Sequence, residues 1–335
     1  MRLLRAEVRR FAKRRLIRWT VGVFVLLLGL VLAGASYQSR PVTAAALATA
    51  QARAGTQLAE ARAAHAERVA PCVDAVRQGR PPPPEFTADC DAAAAPSPDW
   101  YPVAEFLPYQ LSFRDEVDGY LLLYGALLAL VALLVGASFI GAEWSSGALA
   151  NLLVWRPQRG RVLLTKLVVA VGAILALGTA TAALWLGGVY AVARFDGTVQ
   201  GTTAGLLQSA GLGAVRAVGL AALVGAFAFA LASIGRHTAA AFGAVIGLAL
   251  VSEVGMAFAG SVLRLRYPGA FQLSTYGQAW VTRSVTLDPV VCAMGATCRA
   301  DARDITWLHA LGVFGAGTVL ALLVAFVVLR RRAIT

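Results

Sequence analysis

Six long apolar stretches, nearly free of charge, recur along the chain at residues 19–36, 119–140, 167–190, 217–234, 239–262 and 307–329. A run of ~20 apolar residues is long enough to cross the ~30 Å hydrocarbon core of a bilayer as a helix, where helical backbone satisfies its own polar groups without water. Composition agrees: 58% of the residues are hydrophobic, 14% are charged and mean hydropathy is +0.67. A soluble domain carries about a quarter charged residues. A membrane β-barrel would show ~10-residue alternating segments, which the chain lacks. The sequence therefore predicts an all-α membrane protein with six transmembrane helices.

The net charge of +12 raises nucleic acid as a partner. The distribution of charge argues otherwise. Residues 1–18, 141–166, 235–238 and 330–335 hold 16 of the 30 Lys and Arg and only two acids, Glu7 and Glu143. The other connecting segments are near balance, with 14 bases and 15 acids. This is the positive-inside pattern, predicting a multi-pass protein of the cell membrane, both termini cytoplasmic, with membrane lipids rather than nucleic acid as its charged partner.

Cysteine placement points the same way. Cys72 and Cys90 fall in the first outer loop, Cys292 and Cys298 in the last, and none in a segment assigned to the cytoplasm. Disulfides persist outside the reducing cytosol, so two bridges are expected, with pairing inside each loop favoured among the three connectivities. Zinc is the rival reading, but no Cys or His completes a ligand set at the usual spacings, and no metal is expected.

Residues 1–18 place Leu4, Val8 and Phe11 at helical spacing among eight Lys and Arg, with Trp19 just beyond. This predicts an amphipathic helix on the inner leaflet. A cleavable signal is the alternative, since Ala33-Gly34-Ala35 resembles a cleavage site and Arg9-Arg10 a twin-arginine signal. The long basic region and the span-length apolar run favour a retained anchor.

Residues 37–118 are too many for a bare connection and are expected to form a helical extracytoplasmic domain. Ala-rich sequence over 44–77 favours helix, and Pro81 to Pro84 make an extended break that Cys72 and Cys90 bracket. Residues 263–306, with Tyr267-Pro268-Gly269, predict short or re-entrant helices at the outer mouth. Gly243 and Gly247 are read as ordinary small-residue helix packing. Glu253 is the one acid within an apolar run; because intramembrane charge is costly, it is a candidate pathway residue. No Ser or Cys nucleophile pattern surrounds His65, His237 or His309.

Between the second and third runs, residues 141–166 read Gly-Ala-Glu143-Trp-Ser-Ser-Gly147, then a Leu-rich turn through Leu149, Leu152 and Leu153, then Pro157, Arg159, Arg161 and Lys166. Ser145 and Ser146 can cap a short helix, the leucines give it an apolar side, and Pro157 ends it. Arg156, Arg159, Arg161 and Lys166 are expected to hold the following turn near the headgroups. An acid, a glycine, a Leu-rich turn, a proline, an arginine pair and a lysine opening the next span resemble the cytoplasmic loop of the ABC type-two exporter permeases. The architecture resembles theirs over most of the chain, although only residues 141–166 carry the motif, and the loop after the first run is longer than in compact members.

The resemblance implies a coupling helix between spans two and three that docks on a separate ATPase, with Glu143, Gly147, Leu152, Pro157 and Arg159 in the coupling region. It further implies two ATPase copies carrying the ATP and Mg, a second permease copy in a homodimer, and export of a hydrophobic or amphipathic substrate. No G-x-x-x-x-G-K-[ST] phosphate loop occurs in the chain, so it is expected to be no enzyme by itself and to hold no cofactor. The rival reading is a membrane-anchored sensor or assembly factor acting through its disulfide-containing outer domain, with no dedicated ATPase.

Overall fold

The computed structural model describes residues 2–84, 86–87, 90, 95–149, 151, 158–289 and 302–331. Six of its helices are long and apolar enough to cross a membrane. The chain divides into two compact units, one of residues 1–34, 112–191 and 199–335, the other of residues 35–111 and 192–198.

The larger unit begins with α1 (Arg2–Lys13) and α2 (Arg15–Gln38), and continues with α4 (Phe113–Ser145), α5 (Arg159–Phe195) and α6 (Ala204–Gly235). The fifth span is composite: α7 (Thr238–Leu250), a π-helical turn at Val251–Gly255 and α8 (Met256–Val262). After α9 (Leu273–Thr282) come β1 (Ser284–Leu287), β2 (Arg303–Thr306) and α10 (Trp307–Arg331). α3 (Ala44–Arg77) belongs to the smaller unit.

Most span helices outrun their apolar centres because polar caps continue them. Ser112 Oγ accepts from the Asp115 amide at 3.4 Å, Asp115 and Glu116 occupy the first turn of α4, and Thr203 Oγ1 accepts from the Leu206 amide at 3.2 Å at the start of α6. Carboxylates there also favour the positive end of the helix dipole.

α4 and α6 form the centre of the larger unit and bury most of their apolar residues. They touch backbone to backbone: a Cβ on Gly136 would lie 2.1 Å from the Gly225 carbonyl oxygen. Nothing larger than glycine fits without parting the helices. α5 packs on both, with Ile174 against Gly225 and with Gly178 between Leu128 and Val218. Tyr124 donates to the Gly178 carbonyl at 2.6 Å and Trp185 to the Tyr120 carbonyl at 3.0 Å.

α2, the fifth span and α10 bury few residues, and their open faces are apolar, carrying Leu26, Leu30, Val254, Phe258, Leu320 and Leu323. Lipid solvates such faces, water does not. Gly243 and Gly247 lie on this open fifth span with no atom within 4 Å of a Cβ built on either, so they make no close helix contact among the described residues.

Residues 263–306 depart from the helical expectation in one respect. Besides a 3-10 turn at Pro268–Phe271 and α9, they contain the antiparallel pair β1 and β2, in register Ser284 to Thr306 through Leu287 to Arg303. β-branched Val285, Thr286, Ile305 and Thr306 favour the extended state, and Ile305 is buried with Ala270 and Ala279. Cys292 and Cys298 lie outside the described residues.

In the smaller unit, α3 has the limits the Ala-rich stretch predicts, capped by Thr43 Oγ1, which accepts from the Ala46 amide at 3.2 Å. Cys72 and Cys90 form a disulfide, as pairing within the first loop predicts. Ser39 ties the unit together: its hydroxyl donates to the Asp196 carbonyl at 2.7 Å and accepts from the Leu111 amide at 3.0 Å.

Candidate functional site

The side chains with the most demanding electrostatics lie where α1, the last turns of α4 and the first turns of α5 meet. Lys166, at the start of the third turn of α5, is 0% exposed, and its ammonium nitrogen lies 2.7 Å from Glu7 Oε2 and 2.7 Å from Glu143 Oε2. The contact to Glu7 is a hydrogen bond, whereas that to Glu143 has ion-pair distance without hydrogen-bond geometry, leaving Oε2 with no hydrogen-bond donor among the described residues. Arg14 closes the set, donating to Glu143 Oε1 at 2.8 Å and to the Ser138 carbonyl at 3.0 Å. Glu7 and Glu143 are 2% and 5% exposed.

Two carboxylates with Lys166 and Arg14 make the inner part of the cluster neutral, which is what makes its burial tolerable, and exposed Arg10 adds a looser pairing to Glu7 Oε1 at 3.8 Å. Phe139 contributes a ring to both cations, with Arg14 Cζ 5.0 Å and Lys166 Nζ 5.2 Å from its centroid. The edge of Phe11 meets the same ring at 5.2 Å. Glu7 and Phe11 follow one another at i and i+4 on one stripe of α1, and Arg14 joins them from the single residue between α1 and α2.

An apolar cluster surrounds the ions. It brings together Phe139 and Ile140 of α4, Val162 and Leu163 of α5, Phe229 and Ala232 of α6, Ala241 of α7 and Leu329 of α10, and buries Leu149 just beyond α4. Arg236 lies over the Trp144 ring at 5.0 Å, and His237 Nδ1 caps α7 by accepting from the Ala239 amide at 3.1 Å. The low-dielectric wall strengthens the pairing and raises the cost of leaving any member alone.

The predicted coupling residues fall around this cluster in different ways. Glu143 is not on the loop but in the last turns of α4, and it faces inward. Gly147 follows α4 with φ +69°, the left-handed position after a helix that favours glycine; Ser145 and Ser146 donate back to the Ala142 and Glu143 carbonyls and so close α4, while Ala148, Leu149 and Asn151 are again helical, without a serine cap among the described residues. Arg159 opens α5 and donates to the Leu329 carbonyl of α10 at 3.3 Å. Leu152, Pro157 and Arg156 lie outside the described residues. Lys166, expected near the headgroups, is turned into the protein instead, because Glu7 and Glu143 offer two partners there.

Val8 is 49% exposed while Glu7 is buried and Phe11 packs inward, so of the apolar positions read from the sequence Phe11 lies on the packed side of α1, beside Glu7, and Val8 lies off it. The sequence held a signal for this. Glu7 and Glu143 are the only acids among the basic segments, and a lysine two turns into an apolar helix requires a counter-charge.

Glu253, the candidate pathway residue, has a different engagement. Its carboxylate accepts from the Ser274 amide at 2.8 Å and the Ser274 hydroxyl at 2.7 Å, while Ser252 Oγ accepts from the Leu273 amide at 2.7 Å. The π turn at Val251–Gly255 thus projects two side chains that cap the start of α9. A carboxylate at a helix N-terminus satisfies both its own charge and the helix's free amides.

Among the described residues, His, Cys, Asp and Glu do not gather in the groups of three or more that hold a metal ion. No protein-family model matches the chain, and no curated protein matches its sequence.

Proposed function

We propose that this chain is the permease subunit of an ATP-driven ABC exporter, coupled to a separate ATPase through the segment that joins α4 to α5. The reading is supported by the motif in residues 141–166 together with one observation: both ends of that segment are clamped by the same buried ions. Glu143 precedes it, Lys166 follows it, and both pair with residues of, or just beyond, α1. A load applied to the segment is then carried into α1, α4 and α5 together, not absorbed by unwinding one helix end.

On this reading both termini are cytoplasmic, consistent with an even number of spans and the basic excess at the chain ends. Two ATPases carrying ATP and Mg close on nucleotide, push the joining segments of a permease homodimer, and shift it between inward-facing and outward-facing states that their contacts favour differently. Gly147 and Arg159 lie at the two ends of the lever, with Leu152 and Pro157 between them, and Glu143 transmits from inside. The cargo is hydrophobic or amphipathic.

Arg159→Glu tests this directly. Substrate-stimulated ATPase activity of the reconstituted complex is expected to fall at least tenfold while the permease keeps its thermal stability. Wild-type assembly and coupling in both Arg159→Glu and Glu143→Ala would remove the lever from this segment. The separate compact unit with its Cys72–Cys90 bridge favours a second reading, a membrane-anchored sensor or assembly factor working through that unit. It predicts no ATPase in the complex.

A further inference from the structure

Where the first turn of α5 meets the last turn of α10, three arginines line one concavity of about 740 Å³. Arg159 and Arg161 come from α5 and Arg330 from α10, and no acid is among the described residues that line it. A Cβ on Gly160 would lie 3.7 Å from Arg330 Nη2, so the α10 guanidinium rests over the first turn of α5. Arg161 is oriented by donating to Gln158 Oε1 at 3.3 Å. The positive end of the α5 dipole points into the same space.

Besides Gln158 and Gly160, the lining is completed by two apolar side chains, Leu164 and Phe326. Leu164 is 51% exposed and begins a stripe with Val168 and Leu175 on α5, and Phe326 stands beside exposed Leu323 and Val327 on α10. The cationic concavity therefore opens onto two apolar faces that belong in the hydrocarbon.

We propose that this concavity binds the headgroup of an anionic phospholipid, its phosphate held by Arg161 and Arg330 and its acyl chains lying along the Leu164 and Phe326 faces. Guanidinium forks match phosphate oxygens, and basic pockets between span ends suit anionic headgroups. A soluble phosphate shares the charge but has no use for the apolar faces, which favours a lipid. The assignment does not depend on the exporter reading.

The full-length protein, purified in mild detergent, is supplied with equal phosphatidylglycerol and phosphatidylcholine, and retained lipid is counted by native mass spectrometry. Wild type is expected to keep phosphatidylglycerol selectively, and R161Q/R330Q to keep about 30-fold less, from the loss of two surface charges. R15Q/R18Q, which empties another basic hollow, is expected to match wild type. Millimolar inorganic phosphate is expected to leave the lipid in place. Equal loss in both double variants, equal retention of phosphatidylcholine, or displacement by inorganic phosphate would each overturn the assignment. If R161Q/R330Q does not fold, R161K/R330K takes its place: it keeps the charge but not the fork, so a several-fold drop is expected and undiminished retention contradicts the site.

Discussion

Lys166 is surrounded by carboxylate and aromatic groups with no exposure to solvent, and its removal leaves two buried acids with Arg14 on Glu143 and only the exposed Arg10, 3.8 Å away, on Glu7. Lys166→Met is therefore expected to cost roughly 3–5 kcal/mol, seen as a large fall in the detergent melting temperature. Adding Glu7→Gln restores neutrality, so E7Q/K166M should be more stable than K166M alone; strictly additive losses in this double-mutant cycle would contradict the cluster. Glu253 makes a smaller claim. Glu253→Ala should cost about 1 kcal/mol and speed amide exchange at Leu273 and Ser274, as loss of a helix cap does. Unchanged exchange at both amides would leave the acid without its capping role. The need for counter-charges was legible in the two lone acids of the basic segments, but the pairing was not, because Glu7 and Lys166 stand 159 positions apart and a single sequence does not say which residues meet at that range.

At the scale of elements, the α4–α6 crossing depends on Gly136. Gly136→Ala forces a methyl group against the Gly225 carbonyl, and overpacking of this kind costs about 1–3 kcal/mol or more. Loss of the monodisperse folded peak on size-exclusion chromatography, or a clear fall in melting temperature, is the expected result; wild-type stability would mean that the two helices do not touch there. The spans themselves were legible from hydropathy, and α3 from its alanines, because both signals are local. Helix ends were less so: Phe113–Ser145 exceeds its apolar centre at both ends because caps and charged turns continue a helix outside the hydrocarbon. The β1–β2 pair was not foreseen, since four-residue strands carry too short a pattern to stand out from a loop. Within the candidate site, the segment was recognisable by composition, but the inward turn of Glu143 and Lys166 depended on α1 arriving beside them.

The whole molecule joins a unit of apolar span helices to a smaller unit with its own disulfide. Cys72 and Cys90 are separated by 18 positions, and closing a loop of that size is worth about 3 kcal/mol to the folded state. Reduction, or Cys90→Ser, should therefore make the α3 region sensitive to limited proteolysis while the ion cluster and the span helices persist. Equal protection with and without reductant would show that the bridge adds no stability. The central claim concerns the complex, and its most direct test is purification of the tagged chain from its native host in mild detergent, with quantitative mass spectrometry of its partners. A soluble phosphate-loop ATPase recovered in equal amount with the chain is the predicted result. Recovery of the chain without any ATPase, under conditions that preserve other ABC complexes, would contradict the permease assignment.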